Sequence, residues 1–174
     1  MPNFEQFNEY YQAHMPQVYG YVYMRTGRNK ELAEDIVSEI FLKAVENFDQ
    51  FDNKKGAFKS WIFQITKNYL IDHFRAQKNR ETTSLDELEN VIKSANNTSK
   101  SAQGEIEKEI IKEAIDSLPS AKKELIILRY FSGYAYEEIA EVTKENANKI
   151  RVTVHRTLQE LSRKLNKLKY QSSE

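Results

Sequence analysis

The sequence predicts an all-α protein made of two small helical domains joined by a flexible linker. Only five glycines and three prolines interrupt its 174 residues, and apolar residues recur every three or four positions in both halves of the chain, as in amphipathic helices. Residues 76–104 are instead rich in Ser, Thr, Asn and Gln, a composition typical of linkers. We therefore place the first domain at residues 1–78, the linker at 79–104 and the second domain at 105–170.

Three amphipathic helices are predicted for the first domain. The first spans about residues 4–25 and is rich in tyrosines, which we expect to lie in the core. The second has the clearest pattern, with apolar positions three or four apart throughout residues 32–48. The third repeats this pattern over residues 58–70, with Phe63 and Phe74 on other faces. Three such helices can close around one core.

Four helices are predicted for the second domain. One ends before Pro119, since proline cannot continue a helix, and another spans about residues 120–131, with Gly133 after its end. A short helix near residues 136–142 is separated by a break from a long basic helix that begins near Ala147. This is the layout of a helix-turn-helix. The expected buried stripe of the long helix is Ile150, Val154, Leu158, Leu161 and Leu165. In the linker, residues 84–92 carry a capping-box pattern and predict one or two helical turns.

Charge is strongly segregated, although 26 basic residues balance 26 acidic ones. Residues 31–52 have a net charge of −6, and residues 54–80 and 144–169 each have a net charge of +6. Such blocks indicate one surface that faces a protein and two that face nucleic acid. The alternative is a set of ordinary solvated faces of alternating sign.

Several classes of function are excluded or disfavoured. Without cysteine, the chain has no disulfide, Cys-ligated zinc or iron–sulfur cluster, and its closest glycines, Gly20 and Gly27, are too far apart for a phosphate-binding loop. The three histidines have no carboxylate cluster at ligand spacing, so we expect no metal, no cofactor and no enzymatic activity. Glu5 and Glu9 do not fit a signal peptide, and the longest aliphatic run, residues 125–128, is too short to span a membrane. We expect a cytoplasmic protein.

Two blocks of sequence motifs occur in a defined order. Residues 32–44 contain the run LAEDIVSEIFLKA, and residues 51–75 contain FDNKKGAFKSWIFQI followed by Asn68, Asp72, Phe74 and Arg75. The second block contains Leu118-Pro119, Leu128-Arg129-Tyr130, Gly133, residues 136–140 and His155-Arg156. Together they resemble regions 2 and 4 of the bacterial group IV, or extracytoplasmic-function (ECF), sigma factors. The resemblance covers most of the chain and implies a subunit that directs RNA polymerase to promoters, without catalysis of its own.

The acidic helix is the expected site for polymerase. Helical spacing places Asp35, Ser38, Glu39 and Lys43 on one polar face, opposite the apolar stripe. The resemblance implies that this face binds a coiled coil in the polymerase clamp. A mostly acidic face fits a basic partner helix, because complementary charge orients the encounter.

Basic and aromatic side chains follow in the loop at residues 53–59 and in the helix after it. Aromatic rings that stack on bases, and cations that bind phosphates, hold single-stranded DNA. The resemblance implies that this loop holds a flipped base of the minus-ten promoter element. For Trp61, a place in the core is favoured over stacking on a base. The candidate residues for minus-ten DNA are Asn53, Lys54, Lys55, Lys59, Trp61, Gln64, Asn68 and Arg75.

The last helix is the expected site for the minus-thirty-five element. An outward-facing Val152 suits a thymine methyl group, and Arg151 suits guanine. Lys149 and Arg156 are expected to contact phosphate, which fixes the register on DNA. The full set of candidates is Asn146, Asn148, Lys149, Arg151, Val152, Thr153, His155 and Arg156.

The turn before this helix departs from the family pattern. Lys144 stands at the usual turn glycine, Glu145 at the apolar turn residue, and Ala135 at the Ser or Thr that caps the short helix. Asn146 can still cap the last helix. Thr153 occupies a position that is often basic in relatives, so an unusual promoter preference is expected.

The partners implied by the resemblance are core RNA polymerase, at its clamp coiled coil and flap, promoter DNA and an anti-sigma factor, with no direct membrane insertion. When bound to polymerase, the protein is expected at the nucleoid. Two alternatives remain open: a sigma-like decoy that binds an anti-sigma factor without contacting DNA, and a conventional helix-turn-helix regulator. The two basic segments argue against the decoy, and the acidic helix at residues 31–49 argues against the plain regulator.

Overall fold

The computed structural model describes residues 4–54, 57–83 and 102–171. These residues form seven α-helices and no strand, which confirms the all-α class. The chain divides into two compact units, Met1–Asn96 and Asn97–Glu174. The helical turns predicted at residues 84–92, in the linker, lie outside the described residues.

The first unit contains three α-helices and one short 3₁₀ segment. They are α1 (Phe4–Arg25), α2 (Lys30–Glu46), the 3₁₀ segment Phe48–Gln50 and α3 (Phe58–Thr83). The turn before α2 passes through Gly27 and Arg28, both with φ of 65°, and Asn29 then caps α2 by accepting the Leu32 backbone N–H at 3.1 Å. The apolar stripe of α2 packs inward as predicted, with Ala33, Ile36, Val37, Ile40, Phe41 and Ala44 buried.

Two expectations for the first unit are corrected. Phe63 is buried, because α1 covers that side of α3 and Tyr21 contacts the Phe63 ring at 5.2 Å between centroids. The tyrosines of α1 do not all lie in the core: Tyr21 is buried, whereas Tyr11 is 38% exposed, with its ring centroid 4.8 Å from that of Phe41. Helix α3 continues to Thr83, because neither glycine nor proline occurs there to stop it.

The second unit contains four α-helices and a π-helical segment. They are α4 (Ala102–Asp116), α5 (Ser120–Ile126), the π segment Ile127–Phe131, α6 (Tyr136–Thr143) and α7 (Ala147–Gln171). The π segment widens the predicted second helix at its end, where the Ser132 N–H donates to the Ile127 carbonyl at 3.0 Å. Gly133 follows with a φ of 68°, which suits glycine. Ile127, Leu128, Ile139 and Val154 are fully buried and form the centre of this unit.

The buried stripe of α7 differs from the prediction at two positions. Leu165 is only half-buried. Leu158 is 37% exposed, and Thr157 is 1% exposed in its place. Thr157 lies three residues after Val154 and four before Leu161, so it shares their face of the helix. Its hydroxyl donates to the Thr153 carbonyl at 2.8 Å, which satisfies the buried polar group.

Within the described part of the chain, no helix combines the length and apolar character needed to cross a membrane.

Candidate nucleic-acid interface

The turn between α6 and α7 keeps helix-turn-helix geometry without glycine. Lys144 adopts a left-handed conformation (φ 57°, ψ 34°), and its N–H donates to the Ala140 carbonyl. The Asn146 side-chain oxygen then accepts the N–H groups of Asn148 at 2.9 Å and Lys149 at 3.2 Å. Asn146 is therefore the N-cap of α7, as predicted.

The start of α6 is fixed without a hydroxyl cap. Ala135 offers no side-chain acceptor, but its own N–H donates to the Glu138 carboxylate at 2.7 Å. The preceding Tyr134 is buried, and its carbonyl accepts a hydrogen bond from Arg129 at 3.0 Å. Burial, followed by the nearby Glu138 carboxylate, raises the pKa of the Tyr134 hydroxyl above its usual value of 10.0, so this phenol stays protonated. The start of α6 is therefore well defined, although the usual Ser or Thr cap is absent.

The outer face of α7 gathers the residues predicted for minus-thirty-five DNA. Thr153 is half-buried, and its hydroxyl donates to the Lys149 carbonyl at 2.8 Å. Val152 is apolar and yet 49% exposed, among polar neighbours. The exposed members are Asn146, Asn148, Lys149, Arg151, Val152, His155 and Arg156. An apolar side chain among cations on one helix face matches the mixture of methyl groups, base edges and phosphates in a major groove.

Two acidic residues that the sequence analysis did not select lie beside these cations. Lys149 Nζ lies 2.6 Å from the Glu145 carboxylate, and Arg151 lies 3.2 Å from the Glu137 carboxylate. Glu145 lies in the turn just before α7 and four residues before Lys149, so this pair is local in sequence. The pair of Arg151 with Glu137 joins α7 to α6, so it depends on how these two helices cross and cannot be derived from sequence spacing.

In the first unit, a groove of about 530 Å³ lies where α2, the 3₁₀ segment and α3 meet. Trp61 lines it and is half-buried, with its ring centroid 5.2 Å from that of Phe51. The predicted core position of Trp61 is thus only partly correct, since the ring also borders open space. The groove is lined by Lys43, Glu46, Asn47, Gln50, Trp61, Ile65, Asn68, Tyr69, Asp72 and His73.

Polar groups in and beside the groove are ordered by hydrogen bonds and charge. The Asn68 side-chain oxygen accepts a hydrogen bond from Gln64 at 2.9 Å, which leaves the Asn68 amide nitrogen as a donor. Lys43 Nζ lies 5.8 Å from the Tyr69 ring centroid. Partial burial, with the Glu39 carboxylate as the second cause, raises the pKa of the Tyr69 hydroxyl. Of the predicted minus-ten residues, the groove itself contains Trp61 and Asn68.

The remaining minus-ten candidates lie in the loop before α3 or elsewhere on that helix. Asn53 and Lys54 are exposed in the loop, Lys59 is half-buried and Arg75 is exposed. Lys55 lies outside the described residues. Asn53 is held from α1, because the Tyr10 hydroxyl donates to its side-chain oxygen at 3.0 Å and the Tyr10 ring stacks on Phe58 at 4.4 Å between centroids. Sequence reasoning missed Tyr10, which is 43 residues from Asn53.

The polar face of α2 is exposed as predicted at Asp35, Ser38, Glu39 and Lys43. It also contains Leu42, which is 51% exposed. Leu42 lies seven positions after Asp35, two turns along the same face. An apolar side chain amid acidic ones is a common composition for a protein-binding surface.

A helix-turn-helix with a basic outer face, together with a separate helical unit bearing an acidic face and an aromatic groove, is typical of transcription proteins. The family models agree: Sigma-70 region 2 matches residues 10–80, and Sigma-70, region 4 matches residues 108–161. The chain is 30% identical to the ECF RNA polymerase sigma factor SigM of Bacillus subtilis over 154 residues, covering 88% of this chain and 91% of SigM. The chain belongs to the ECF sigma factors of the sigma-70 family, which act in transcription initiation.

Two further relatives fit this membership, and a solved structure shares the fold. The RNA polymerase sigma factor SigV of Bacillus subtilis is 33% identical over 131 residues, 75% of this chain and 74% of SigV. BldN of Streptomyces coelicolor, an ECF sigma factor, is 27% identical over 91% of this chain, which spans only 60% of BldN. The fold resembles that of the sigma factor RpoE, solved with the anti-sigma factor NepR from Bartonella quintana, with a TM-score of 0.65, 22% identity and coverage of 93% of this chain and 98% of that one.

Proposed function

We propose that this ECF sigma factor binds core RNA polymerase through its first unit and recognises promoter DNA through both units. The observation that carries the proposal is the outer face of α7, where Arg151 and Val152 are exposed just after a well-formed turn. A plain solvent-facing helix has no need of an outward valine among cations. The domains proposed for these roles are residues 1–78 and 105–170, with a linker at 79–104.

On α7, recognition and positioning fall to different side chains. Arg151 donates to guanine, and Val152 contacts a thymine methyl group, each in the major groove of the minus-thirty-five element. Lys149 and Arg156 bind phosphates and fix the register of the helix, without distinguishing bases. Asn148, Thr153 and His155 border this surface, and Asn146 caps the helix.

The groove of the first unit is proposed to hold a flipped base of the minus-ten element. Extracting a base from the duplex costs a few kcal/mol, and stacking on an aromatic ring returns about 1–3 kcal/mol per base. The half-buried Trp61 ring offers such a platform, and the Asn68 amide nitrogen offers a donor to the base edge. Asn53, Lys54, Lys55, Lys59, Gln64 and Arg75 surround the strand or bind its phosphates.

The exposed face of α2 is proposed to bind the clamp coiled coil of polymerase. Asp35 and Glu39 supply the charge that orients a basic partner helix, and Leu42 supplies apolar surface that its burial would remove from water.

The second unit is proposed to contact the polymerase flap. An anti-sigma factor is a further proposed partner, since RpoE, which shares the fold, was solved with one. We place the protein in the cytoplasm, and at the nucleoid when polymerase is bound, as a non-enzymatic subunit without a cofactor.

The test combines binding of core polymerase with run-off transcription from a library of random promoters. The wild-type chain should bind core enzyme and start RNA synthesis on a defined subset of the library. Asp35→Arg with Glu39→Arg should abolish binding and transcription, because the face then repels a basic partner. Glu5→Arg with Glu9→Arg is the matched control, since both residues are exposed on α1 and the change in net charge is the same.

Other outcomes would contradict parts of the proposal. Unchanged polymerase binding by the α2 double variant would contradict the assignment of that face. DNA binding by the wild-type chain without any polymerase binding would indicate a conventional helix-turn-helix regulator. If the wild-type chain and core enzyme start RNA synthesis on no template, the proposed function is wrong.

A further inference from the structure

We propose that Tyr136 and Glu137, at the start of α6, are positioning residues that determine which base pair Arg151 recognises. The inference rests on the proposed function, because it assumes that Arg151 donates to a base. It assigns part of the promoter specificity to the first helix of the helix-turn-helix, through side chains that need not touch DNA.

Three groups hold the Arg151 guanidinium. Its Nη2 donates to Glu137 Oε1 at 3.2 Å, and its Nη1 donates to the Asn148 side-chain oxygen at 3.2 Å. Its central carbon lies 5.1 Å from the centroid of the Tyr136 ring, within the range of a cation–π contact. Two of the three contacts come from α6, fourteen or more positions before Arg151.

The Tyr136 ring is itself fixed by the core of the unit. A second guanidinium, that of Arg129, lies 4.8 Å from the ring centroid and donates to the Tyr134 carbonyl at 3.0 Å. Tyr136 and Arg129 are both half-buried, and Tyr134 is buried. Arg151 therefore rests on a ring anchored in the interior, in addition to its contacts with the exposed Glu137 and Asn148 side chains.

These contacts leave Arg151 able to bind a base. Each terminal nitrogen of a guanidinium carries two N–H groups, so one on Nη1 and one on Nη2 stay available after the bonds to Asn148 and Glu137. Two parallel donors are what guanine O6 and N7 require. An arginine without such contacts samples many rotamers and reaches more than one base pair, whereas a held arginine is directed at one.

The experiment compares base preferences of complete holoenzymes. Core polymerase with the full-length chain selects from a library of double-stranded DNA randomised across the upstream promoter element, and selected molecules are sequenced. Arg151→Ala first identifies the base pairs whose preference depends on Arg151. Glu137→Gln, Tyr136→Leu and Tyr136→Phe are then compared with the wild-type chain, with thermal unfolding recorded for each. Glu113→Gln is the matched charge control, because Glu113 is exposed on α4.

We expect Glu137→Gln to lower the preference at the Arg151-dependent pairs by about threefold, the size of an exposed ion-pair coupling. Tyr136→Leu should lower it similarly, while Tyr136→Phe keeps the ring and preserves it. Preferences at other pairs should not change in any of these variants, and the unfolding midpoint should not change in Glu137→Gln, whose side chain is exposed. In an Arg151→Ala background, Glu137→Gln should have no further effect on preference, because a positioning residue acts only through the side chain that it holds.

Four results would overturn the inference. They are an unaltered preference in Glu137→Gln and Tyr136→Leu, an equal loss at every pair, an equal loss in Glu113→Gln, and a wild-type pattern in Arg151→Ala. In the first three results the proposed base contact of Arg151 stands and only its positioning by α6 is lost. A wild-type pattern in Arg151→Ala would also remove that base contact, but the wild-type holoenzyme would still select promoters, so the role as a sigma factor would stand. If the wild-type chain selects no sequence at all, the proposed function fails and this inference fails with it.

Discussion

Replacing Lys144 by glycine is expected to stabilise the second unit by about 0.5–1 kcal/mol. Lys144 has φ 57° and ψ 34°, a left-handed conformation that costs a residue with a Cβ atom about 1–2 kcal/mol. Glycine avoids this cost but makes the unfolded chain more flexible, which offsets about 0.4–1 kcal/mol. The backbone N–H bond to the Ala140 carbonyl is retained, and the Lys144 side chain is exposed, so little else changes.

Thermal unfolding followed by two signals measures this effect. Trp61 is the single tryptophan and lies in the first unit, so its fluorescence reports that unit, whereas far-ultraviolet circular dichroism reports both. Lys144→Gly should raise the midpoint of the second unit by about 2–8 °C and leave the Trp61 transition unchanged. Lys144→Ala is the control, because it keeps the Cβ atom and with it the strain. If Lys144→Gly is no more stable than Lys144→Ala, the left-handed conformation of this residue does not carry the assigned cost.

Three further predictions concern other parts of the molecule. Lys149→Ala should lower the slope of log affinity against log salt concentration by about 0.9 while base preferences stay unchanged; a loss confined to one base pair would contradict its phosphate role. Ile40 is fully buried, so Ile40→Ala should cost about 2–5 kcal/mol in denaturant unfolding followed by Trp61 fluorescence, and a loss below 1 kcal/mol would argue against this packing. A hydrogen bond from Lys122 holds the pKa of the Glu160 carboxyl below its usual value. The interaction of Glu160 with Lys122 therefore stabilises the folded protein at pH values above the pKa of Glu160 in the unfolded state, and this contribution is lost as pH falls through its pKa in the folded state. An NMR titration should show the low pKa of Glu160, and Lys122→Met should raise it.

Hydrophobic periodicity predicts the buried residues of a helix best where neighbouring helices cover only one of its faces. Helix α2 has a single apolar stripe and a single polar face, so hydropathy fixes both its buried residues and the exposed Asp35 and Glu39. Helix α3 is covered on two sides, and a one-stripe interpretation therefore leaves Phe63 outside a core in which it is buried. The number of neighbours that cover a helix is a tertiary property, which local periodicity does not contain.

Packing against neighbouring helices decides burial more strongly than side-chain hydropathy in α7. Thr157 and Leu158 both lie at helical spacing between Val154 and Leu161, but Thr157 is buried and the more apolar Leu158 is 37% exposed. The cost of burying the Thr157 hydroxyl is small, because the Thr153 carbonyl accepts its hydrogen bond. A prediction based on apolar residues alone overlooks a threonine that satisfies its own polar group.

The contacts within the candidate sites were the least accessible to sequence reasoning. Residue type and spacing identify Arg151 and Asn53 as exposed polar residues in suitable places. Residue type and spacing do not show that Glu137 contacts Arg151 or that Tyr10 contacts Asn53. Both partners come from a different helix, so their positions depend on helix crossing. The direction in which each side chain points is therefore fixed by tertiary packing rather than by local sequence.

Lys43 connects two surfaces that the sequence treats as separate. It lies on the polar face of α2 proposed for polymerase, and it also lines the groove proposed for a flipped base, 5.8 Å from the Tyr69 ring centroid. Partial burial raises the pKa of the Tyr69 hydroxyl, and Glu39, one turn earlier on the same face, raises it further. A partner that draws Lys43 away from the ring would remove a cation from the groove, so a substitution of Lys43 alters both surfaces together. Asp35, which does not line the groove, separates polymerase binding from base binding more cleanly.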